Sequence, residues 1–327
     1  MSGSNALVAL ASWRLPVTGA EEAVRCAARL GADGVQLDLG GPGRGPWADA
    51  PGTVRAVHRA SAGTGVELLG LTANTLNDIG LTALPGSADG TRARAVIVRL
   101  LDAAQAYGVP LVFVPSFRRS AIDTPDDLRR TVRILAWAAG EAAARGLLLA
   151  SENDLDAQDA GALVDGVASP AFRLLLDPCN LRVAGRDPVR WVTGLGAFLA
   201  DQIHLKDGAP GSAAAGASVA LGTGDGLLDD VIAALAVHGP APRALVLEND
   251  YRDGDTALPL RDLAWARARA ARPAPFPAPT HQAPTHQAPT HQAPTHRARM
   301  YKAPTYEAPT YEASTRQAPT QQKEAAG

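Results

Sequence analysis

Residues 147–153 read LLLASEN, an apolar run that ends in a glutamate. Three later segments repeat this pattern with their own polar residue at the end: RLLLDPCN (173–180), QIHLKD (202–207) and LVLEND (245–250). Continuous apolar runs of this length are typical of parallel strands that are buried on both faces. The polar side chains at their ends are Glu152, Asp177, His204 and Glu248. In a closed barrel of parallel strands the C-terminal ends meet at one rim, where active sites form, so the pattern predicts that these four side chains converge.

Strand-like and helix-like segments alternate from the N-terminus to residue 271. The strand-like runs are ALVALAS, GVQLDL, ELLGLTA, PLVFVPS, LLLASE, FRLLLD, QIHLK and ALVLEN. Eight strand–helix pairs in about 270 residues match the number and length of a (β/α)8 TIM barrel. We therefore predict an α/β fold, with a barrel over residues 1–271. A doubly wound open sheet is the alternative, but it neither requires eight strands nor places four ligands on consecutive strands.

Local signals mark where two of the helices begin. Thr18 is followed three residues later by Glu21, which predicts a capping box at the start of the first helix. Thr124 precedes Pro125, and proline is favoured at the first helical position. Both helices therefore have a predicted start that depends on a threonine.

The sequence changes character at residue 272. Residues 272–327 carry a five-residue repeat, APTHQ drifting to APTYE, with few aliphatic side chains. Such a segment cannot bury enough apolar surface to offset the entropy of ordering, and its regularly spaced prolines oppose helix and sheet. We interpret it as a disordered, proline-rich C-terminal tail. Its repeated histidines offer weak metal binding as an alternative, but a simple spacer is the favoured interpretation.

Composition limits the classes of function. The 327-residue chain is 46% hydrophobic and 5% aromatic, with a net charge of −2. This balance argues against nucleic acid as a partner, and no uncharged apolar run approaches the roughly 20 residues that span a membrane. Cys26 and Cys179 do not make a disulfide framework. The N-terminal MSGSNALVALASWRL is interpreted as a first strand rather than a signal peptide, so a cytoplasmic location is predicted.

The four strand-end side chains have the chemistry of a divalent metal site. Carboxylates with an imidazole suit Mn²⁺, Mg²⁺ and Co²⁺, which leave coordination positions open for substrate oxygens. A structural zinc site would instead use closely paired thiolates, and the chain has no such pair. Mn²⁺ is the preferred prediction, with Mg²⁺, Co²⁺ and Zn²⁺ as alternatives.

The order Glu, Asp-x-x-Asn, His-x-Lys-Asp, Glu over the last four strands resembles the xylose-isomerase-like TIM-barrel superfamily of sugar isomerases and epimerases. Tagatose/psicose-type 3-epimerases, hydroxypyruvate isomerase and inosose dehydratase are members of it. The resemblance covers about residues 6–271 and includes GADGVQLDL, where Gln36 stands in place of a common Glu. It implies that the metal ligands are Glu152, Asp177, His204 and Glu248. It also implies that Glu152 and Glu248 are the catalytic pair.

By this resemblance, the chain is a metal-dependent isomerase or epimerase that works through a cis-enediolate on a sugar, sugar phosphate or polyol ketone. A metal-dependent dehydratase acting on an inosose or dehydroshikimate-like ring is the alternative. Where the ketose 3-epimerases carry a His and an Arg, this chain has Asn180 and Pro210. The expected small-molecule partner is therefore another polyol, a cyclitol or a natural-product intermediate. The resemblance is also compatible with a homo-oligomer.

Several residues beside the ligands are candidates for binding substrate. They lie at or just beyond predicted strand ends, where a hydroxyl, carboxylate or phosphate of the substrate would come within reach. These candidates are Lys206, Asn180, Trp13, Asn74 and Arg252. The glycine-rich LGTGDG (221–226) suggests a phosphate-binding loop, but it lacks the GK[ST] ending of that motif. An ordinary barrel loop is the favoured interpretation.

Overall fold

The structure, a computed structural model, describes residues 5–209 and 218–270. Within them eight parallel strands alternate with helices. The strands are β1 Leu7–Ala11, β2 Gly34–Asp38, β3 Glu67–Thr72, β4 Leu111–Pro115, β5 Leu148–Glu152, β6 Phe172–Leu176, β7 Leu199–Leu205 and β8 Ala244–Leu247. The predicted tail, residues 272–327, lies outside the described residues.

Most strands are followed by one long helix, and some loops carry an extra short one. The α-helices are α1 Ala20–Leu30, α2 Pro51–Thr64, α3 Leu76–Ile79, α4 Ala88–Tyr107, α5 Pro125–Ala144, α6 Ala157–Val167, α7 Pro178–Val183, α8 Pro188–Leu195, α9 Leu228–His238 and α10 Ala257–Ala270. Short 3-10 helices lie at Ser12–Arg14, Arg118–Ser120 and Gly196–Phe198.

The strands pair in sequence order and β1 pairs with β8, which closes the sheet. This confirms the predicted (β/α)8 barrel and rules out the open sheet. The pairing register of β2 with β3 skips Leu69, because Val35 faces Leu68 and Gln36 faces Gly70. Leu69 is thus the extra residue of a β-bulge, and such a residue is left out of the ladder.

The two predicted helix starts have different outcomes. Thr124 caps α5 through a capping box with Asp127, as its sequence suggests. The capping box at Thr18 was wrong, because α1 begins after Gly19, whose φ of 132° ends the preceding turn. Thr18 therefore lies one residue too early for its hydroxyl to cap the helix.

The main apolar core lies between the strands and the surrounding helices, and its buried members include Leu37, Ile97 and Leu135. Both cysteines are free and buried. Inside the barrel the packing is partly polar, since Gln36, Gln202 and His204 are fully buried there. In the described parts of the chain, no helix combines the length and apolar character needed to cross a membrane.

Candidate metal centre

The structure brings the four predicted ligands together at the C-terminal rim of the barrel. Glu152 is the last residue of β5, Asp177 follows β6, His204 lies near the end of β7 and Glu248 follows β8. All four are buried, and one ligand atom from each lies within 4.8 Å of the others. Metal–oxygen bonds of about 2.0–2.6 Å place opposite ligands about 4–5 Å apart. The donor set therefore fits around a single divalent ion.

His204 gives the clearest sign that a cation fits between these side chains. Its Nε2 lies 2.7 Å from Gln36 Oε1. Its Nδ1 lies 3.5 Å from Glu152 Oε1 and 3.4 Å from Glu248 Oε2. Nδ1 is buried and has no hydrogen-bond partner among the described residues. A buried ring nitrogen that faces two carboxylates needs a proton or a metal ion between itself and them.

Lys206 supplies part of that positive charge. Its Nζ donates to Glu248 Oε2 over 3.0 Å. It also lies 2.7 Å from Asp177 Oδ2, an ion pair without hydrogen-bond geometry. One ammonium group thus bridges the two carboxylates.

The pKa values of the cluster show how strongly these charges depend on one another. Burial raises the pKa of Asp177 to about 6, although Lys206 opposes the rise. Burial would lower the pKa of His204, but Glu152 and Glu248 raise it to about 10. Burial would raise the pKa of Glu248, but Lys206 and His204 hold it well below its ordinary value. The site therefore keeps Glu248 ionised and retains cations near it.

Besides Lys206, two more of the predicted substrate-binding residues contact the predicted ligands directly. Asn180 Nδ2 donates to Glu152 Oε1 over 3.0 Å. Its backbone N–H donates to Asp177 Oδ1 over 2.9 Å, and this hydrogen bond lets Asp177 cap α7. Trp13 Nε1 donates to Glu248 Oε1 over 2.8 Å. The Trp13 ring centroid lies 5.9 Å from that of His204, so the indole lies beside two of the predicted ligands.

The other two candidates, Asn74 and Arg252, form hydrogen bonds or ion pairs with residues other than the predicted ligands. Asn74 donates to Asp38 through both its backbone N–H and its side-chain amide. Arg252 pairs with Asp250 of the same loop, and its side chain is mostly exposed. Their substrate-binding roles stay predictions. Pro210, the departure noted in the loop after β7, lies outside the described residues.

Three residues near the ligands were missed in the sequence. Arg14 donates to Glu248 Oε1 over 3.3 Å, and its position next to Trp13 at the end of β1 was the available signal. Gln36 was noted only as a departure from Glu. Gln202 was overlooked, although strand alternation places it on the same face as His204 two residues later.

The glycine-rich LGTGDG segment is anchored by a carboxylate of the chain itself. Asp207 accepts hydrogen bonds from the backbone N–H groups of Gly208, Gly222, Gly224 and Gly226. A Cβ at Gly224 would overlap the carbonyl oxygen of Gly208. Asp207 therefore occupies the concavity that a phosphate would need, and the barrel-loop interpretation is the one that fits.

Asn249, considered above only as part of LVLEND, supports the same loop. Its Oδ1 accepts from the backbone N–H of Asp207 over 3.0 Å, and its amide donates to Asp262 over 2.7 Å. A bridge between Gly208 and Ser218 closes the base of the loop after β7. The residues after His204 and Glu248 thus hold this part of the rim in place.

Comparison with known proteins places this geometry in context. A family model for the xylose isomerase-like TIM barrel matches residues 24–269. The 2-epi-5-epi-valiolone 7-phosphate 2-epimerase of Actinoplanes sp. (strain ATCC 31044 / CBS 674.73 / SE50/110) is 50% identical over 264 residues. The match covers 80% of this chain and 94% of that relative.

Two solved structures share the fold. The xylose isomerase domain protein from Planctomyces limnophilus has a TM-score of 0.65 at 19% identity, covering 80% of this chain and 95% of its own. The IOLI protein, crystallised with a binding zinc atom, has a TM-score of 0.66 at 13% identity, covering 81% and 97%. At these identities the likeness concerns the barrel alone.

Proposed function

The chain belongs to the xylose isomerase-like TIM-barrel family, and we propose that it is a divalent-metal-dependent epimerase of a phosphorylated cyclitol or polyol ketone. It is an enzyme of the isomerase class, as its 50% identical relative is a named epimerase. The same relative is named for a 7-phosphate and for position 2. We extend that substrate class and that type of inversion to this chain.

The observation that carries the proposal is the convergence of Glu152, Asp177, His204 and Glu248. These side chains would hold the ion, with Mn²⁺ preferred and Mg²⁺, Co²⁺ and Zn²⁺ as alternatives. A bound ion would act as a Lewis acid toward the substrate carbonyl and so make the neighbouring C–H more acidic.

The protein supplies the groups that move the proton. Glu248 is held ionised by Lys206 and His204, so it can accept a proton from the carbon next to the carbonyl. Glu152 comes from a strand three positions away around the rim, and it would return a proton to the opposite face. In the reverse direction the two glutamates exchange roles. Using two carboxylates on two faces inverts one carbon.

Cationic side chains favour an anionic substrate at this rim. Lys206 and Arg14 both reach Glu248, one on each oxygen. The buried Nε of Arg14 lacks a hydrogen-bond partner in the described part of the chain. Guanidinium groups suit phosphate oxygens, so Arg14 and Lys206 are our candidates for contacting the phosphate or the hydroxyls nearest to it.

The proposal is tested with the substrate named for the Actinoplanes relative. Proton NMR in D₂O should show inversion at position 2 together with deuterium at that carbon, because the returned proton comes from a carboxylate that exchanges with solvent. EDTA should stop the reaction, and Mn²⁺ should restore it. Full activity after complete metal removal would contradict the mechanism.

Two variants address the glutamates. We expect Glu152→Gln and Glu248→Gln to lower kcat by about 10²–10⁴-fold, the usual contribution of general acid–base catalysis. Glu22→Gln, an exposed residue of α1, is the matched control and should behave as wild type. Loss of water with growth of enone absorbance, instead of inversion, would favour the dehydratase alternative.

A further inference from the structure

Three fully buried polar side chains form a series of hydrogen bonds in the interior of the barrel, and the last of them, His204, is one of the four predicted ligands. Gln202 Nε2 donates to the carbonyl oxygen of Leu69 over 2.8 Å. Gln36 Nε2 donates to Gln202 Oε1 over 2.9 Å. Gln36 Oε1 then lies 2.7 Å from His204 Nε2. All three side chains, those of Gln36, Gln202 and His204, are 0% exposed. We call this series of hydrogen bonds, from the Leu69 carbonyl through Gln202 and Gln36 to His204, the amide relay.

The relay starts at an acceptor that the fold itself provides. Leu69 is the bulge residue that the β2–β3 register skips, so its carbonyl is free to bond with a side chain. Gly70 beside it packs against both glutamines, since a Cβ there would lie in ordinary van der Waals contact with them, 3.7 Å from Gln202 Oε1 and 3.8 Å from Gln36 Cγ. The bulge therefore provides the backbone acceptor at which this series of buried hydrogen bonds ends.

The direction of the relay is fixed by chemistry. A carbonyl oxygen only accepts, so Gln202 must turn its NH₂ toward Leu69 and its Oε1 toward Gln36. Gln36 must then present NH₂ to Gln202 and Oε1 to His204. The imidazole atom facing that oxygen has to be a donor, which makes Nε2 carry the hydrogen. Turning either amide around would break two hydrogen bonds at once.

We propose that Gln36 and Gln202 are positioning residues that hold His204 as an Nδ1 metal ligand, a proposal that rests on the divalent-metal function proposed above. With Nε2 engaged, Nδ1 is the nitrogen left to face Glu152 and Glu248. A neutral amide orients the ring without adding negative charge to a site that already holds three carboxylates. Partners of this kind usually change metal affinity by about 10–100-fold when they are removed.

The test compares metal binding by full-length variants. Gln36→Met and Gln202→Met keep the side-chain length and remove the hydrogen bonds. Titration calorimetry of metal-stripped protein with Mn²⁺ should show about 10–100-fold weaker binding for Gln36→Met, with a smaller loss for Gln202→Met. In the double variant the second change should add nothing, because residues that act as one unit are not additive. Binding by both single variants within about threefold of wild type would overturn the proposal.

A matched control separates the relay from general loss of buried polarity. Thr72, also 0% exposed, donates to the Phe113 carbonyl over 3.0 Å and is not part of the relay. Thr72→Val should lower stability while leaving Mn²⁺ affinity unchanged. An equal loss of affinity in Thr72→Val would count against a specific role for the glutamines.

A spectroscopic measurement on the wild-type protein shows which nitrogen of His204 binds the metal, so it tests the relay even where a variant fails to fold. In ¹⁵N-histidine-labelled, Zn²⁺-loaded protein, the long-range ¹H–¹⁵N spectrum should show the His204 hydrogen on Nε2 and the metal on Nδ1. The opposite assignment overturns the relay. If the wild-type protein bound no divalent ion, the proposed function would be overturned together with the relay. If His204→Asn lost metal binding while Gln36→Met kept it in full, only the relay would be overturned.

Discussion

At the scale of single residues, Glu248 is the side chain whose surroundings say most about the chemistry. Its Oε1 accepts from Trp13 and Arg14, and its Oε2 accepts from Lys206. A carboxylate with donors on both oxygens is fixed in orientation and stabilised as the anion. It can therefore face a substrate carbon without first having to rotate.

Lys206 is expected to oppose the binding of metal while assisting the binding of substrate. Its ammonium lies between Asp177 and Glu248, so it repels a divalent ion at close range. We expect Lys206→Met to bind Mn²⁺ about tenfold more tightly, in line with the loss of one nearby positive charge, while kcat/KM falls. Titration calorimetry and steady-state kinetics measure the two effects. Arg190→Met, on an exposed position of α8, is the control, and weaker metal binding by Lys206→Met would contradict this role.

Protons and metal should compete for His204. Although burial would lower its pKa, Glu152 and Glu248 raise that pKa to about 10, so before an ion binds the imidazole carries a proton on Nδ1, which the ion must displace. Asp177, with a pKa of about 6, is already ionised at neutral pH. The apparent affinity should therefore rise about tenfold per pH unit between about pH 7 and 9, as one proton is released. Calorimetry in buffers of different ionisation enthalpy counts that proton, and release of none would refute the competition.

The convergence of the four predicted ligands could be predicted from the sequence, but the side chains that support His204 could not. The ligands stand out because a polar residue at the end of an apolar strand is conspicuous. Gln36 and Gln202 lie within strands. Their hydrogen bonds end at the carbonyl of Leu69, a bulge residue that no local sequence pattern predicts. Long-range contacts across a barrel interior follow from register, which a single sequence does not display.

At the scale of elements, the rim is held by loops that bond to their own strand ends. Asp177 follows β6, caps α7 with Oδ1 and turns Oδ2 toward Lys206. The start of α1 shows that a shift of one residue is enough to change a helix cap. Because the N-cap is Gly19 rather than Thr18, Thr18 does not have its predicted capping role. The predicted start of α5 at Thr124 is confirmed, because Pro125 is favoured at the first position of a helix.

Asp207 should matter for stability rather than for chemistry. It is almost fully buried and accepts from four backbone N–H groups. Asp207→Ala would leave those donors without an acceptor, so we expect the free energy of unfolding to fall by about 2–4 kcal/mol. Urea denaturation measures this change. Asp229→Ala, which removes an exposed pairing with Arg269, should shift the same quantity by under about 1 kcal/mol, and equal effects would show that the loop does not depend on Asp207.

At the scale of the whole molecule, eight apolar runs were enough to predict the closed barrel. The periodic alternation of strand and helix is a property of the entire chain up to residue 271, so errors at single helix ends do not change it. The register shift at Leu69 could not be predicted from such a pattern, because it depends on how β2 and β3 pair. The short helices α3 and α7 were not predicted either, because they lie in the loops after the strands.

The repeat at residues 272–327 offers a test at the same scale. Since its composition gives it little to contribute to a packed core, we expect a chain ending at Arg272 to keep kcat/KM within about twofold of the full-length enzyme. The D₂O exchange assay with both proteins measures this ratio. A large loss of activity would show that the repeat takes part in folding or in substrate binding.

The bridge between Gly208 and Ser218 gives the enzyme a clamped insertion point. Because both ends of the intervening segment are tied together at its base, the entropy of closing it changes only slowly with its length. We therefore expect residues 210–217 to tolerate changes of length and sequence while Asp207 and the predicted ligand His204 keep their positions.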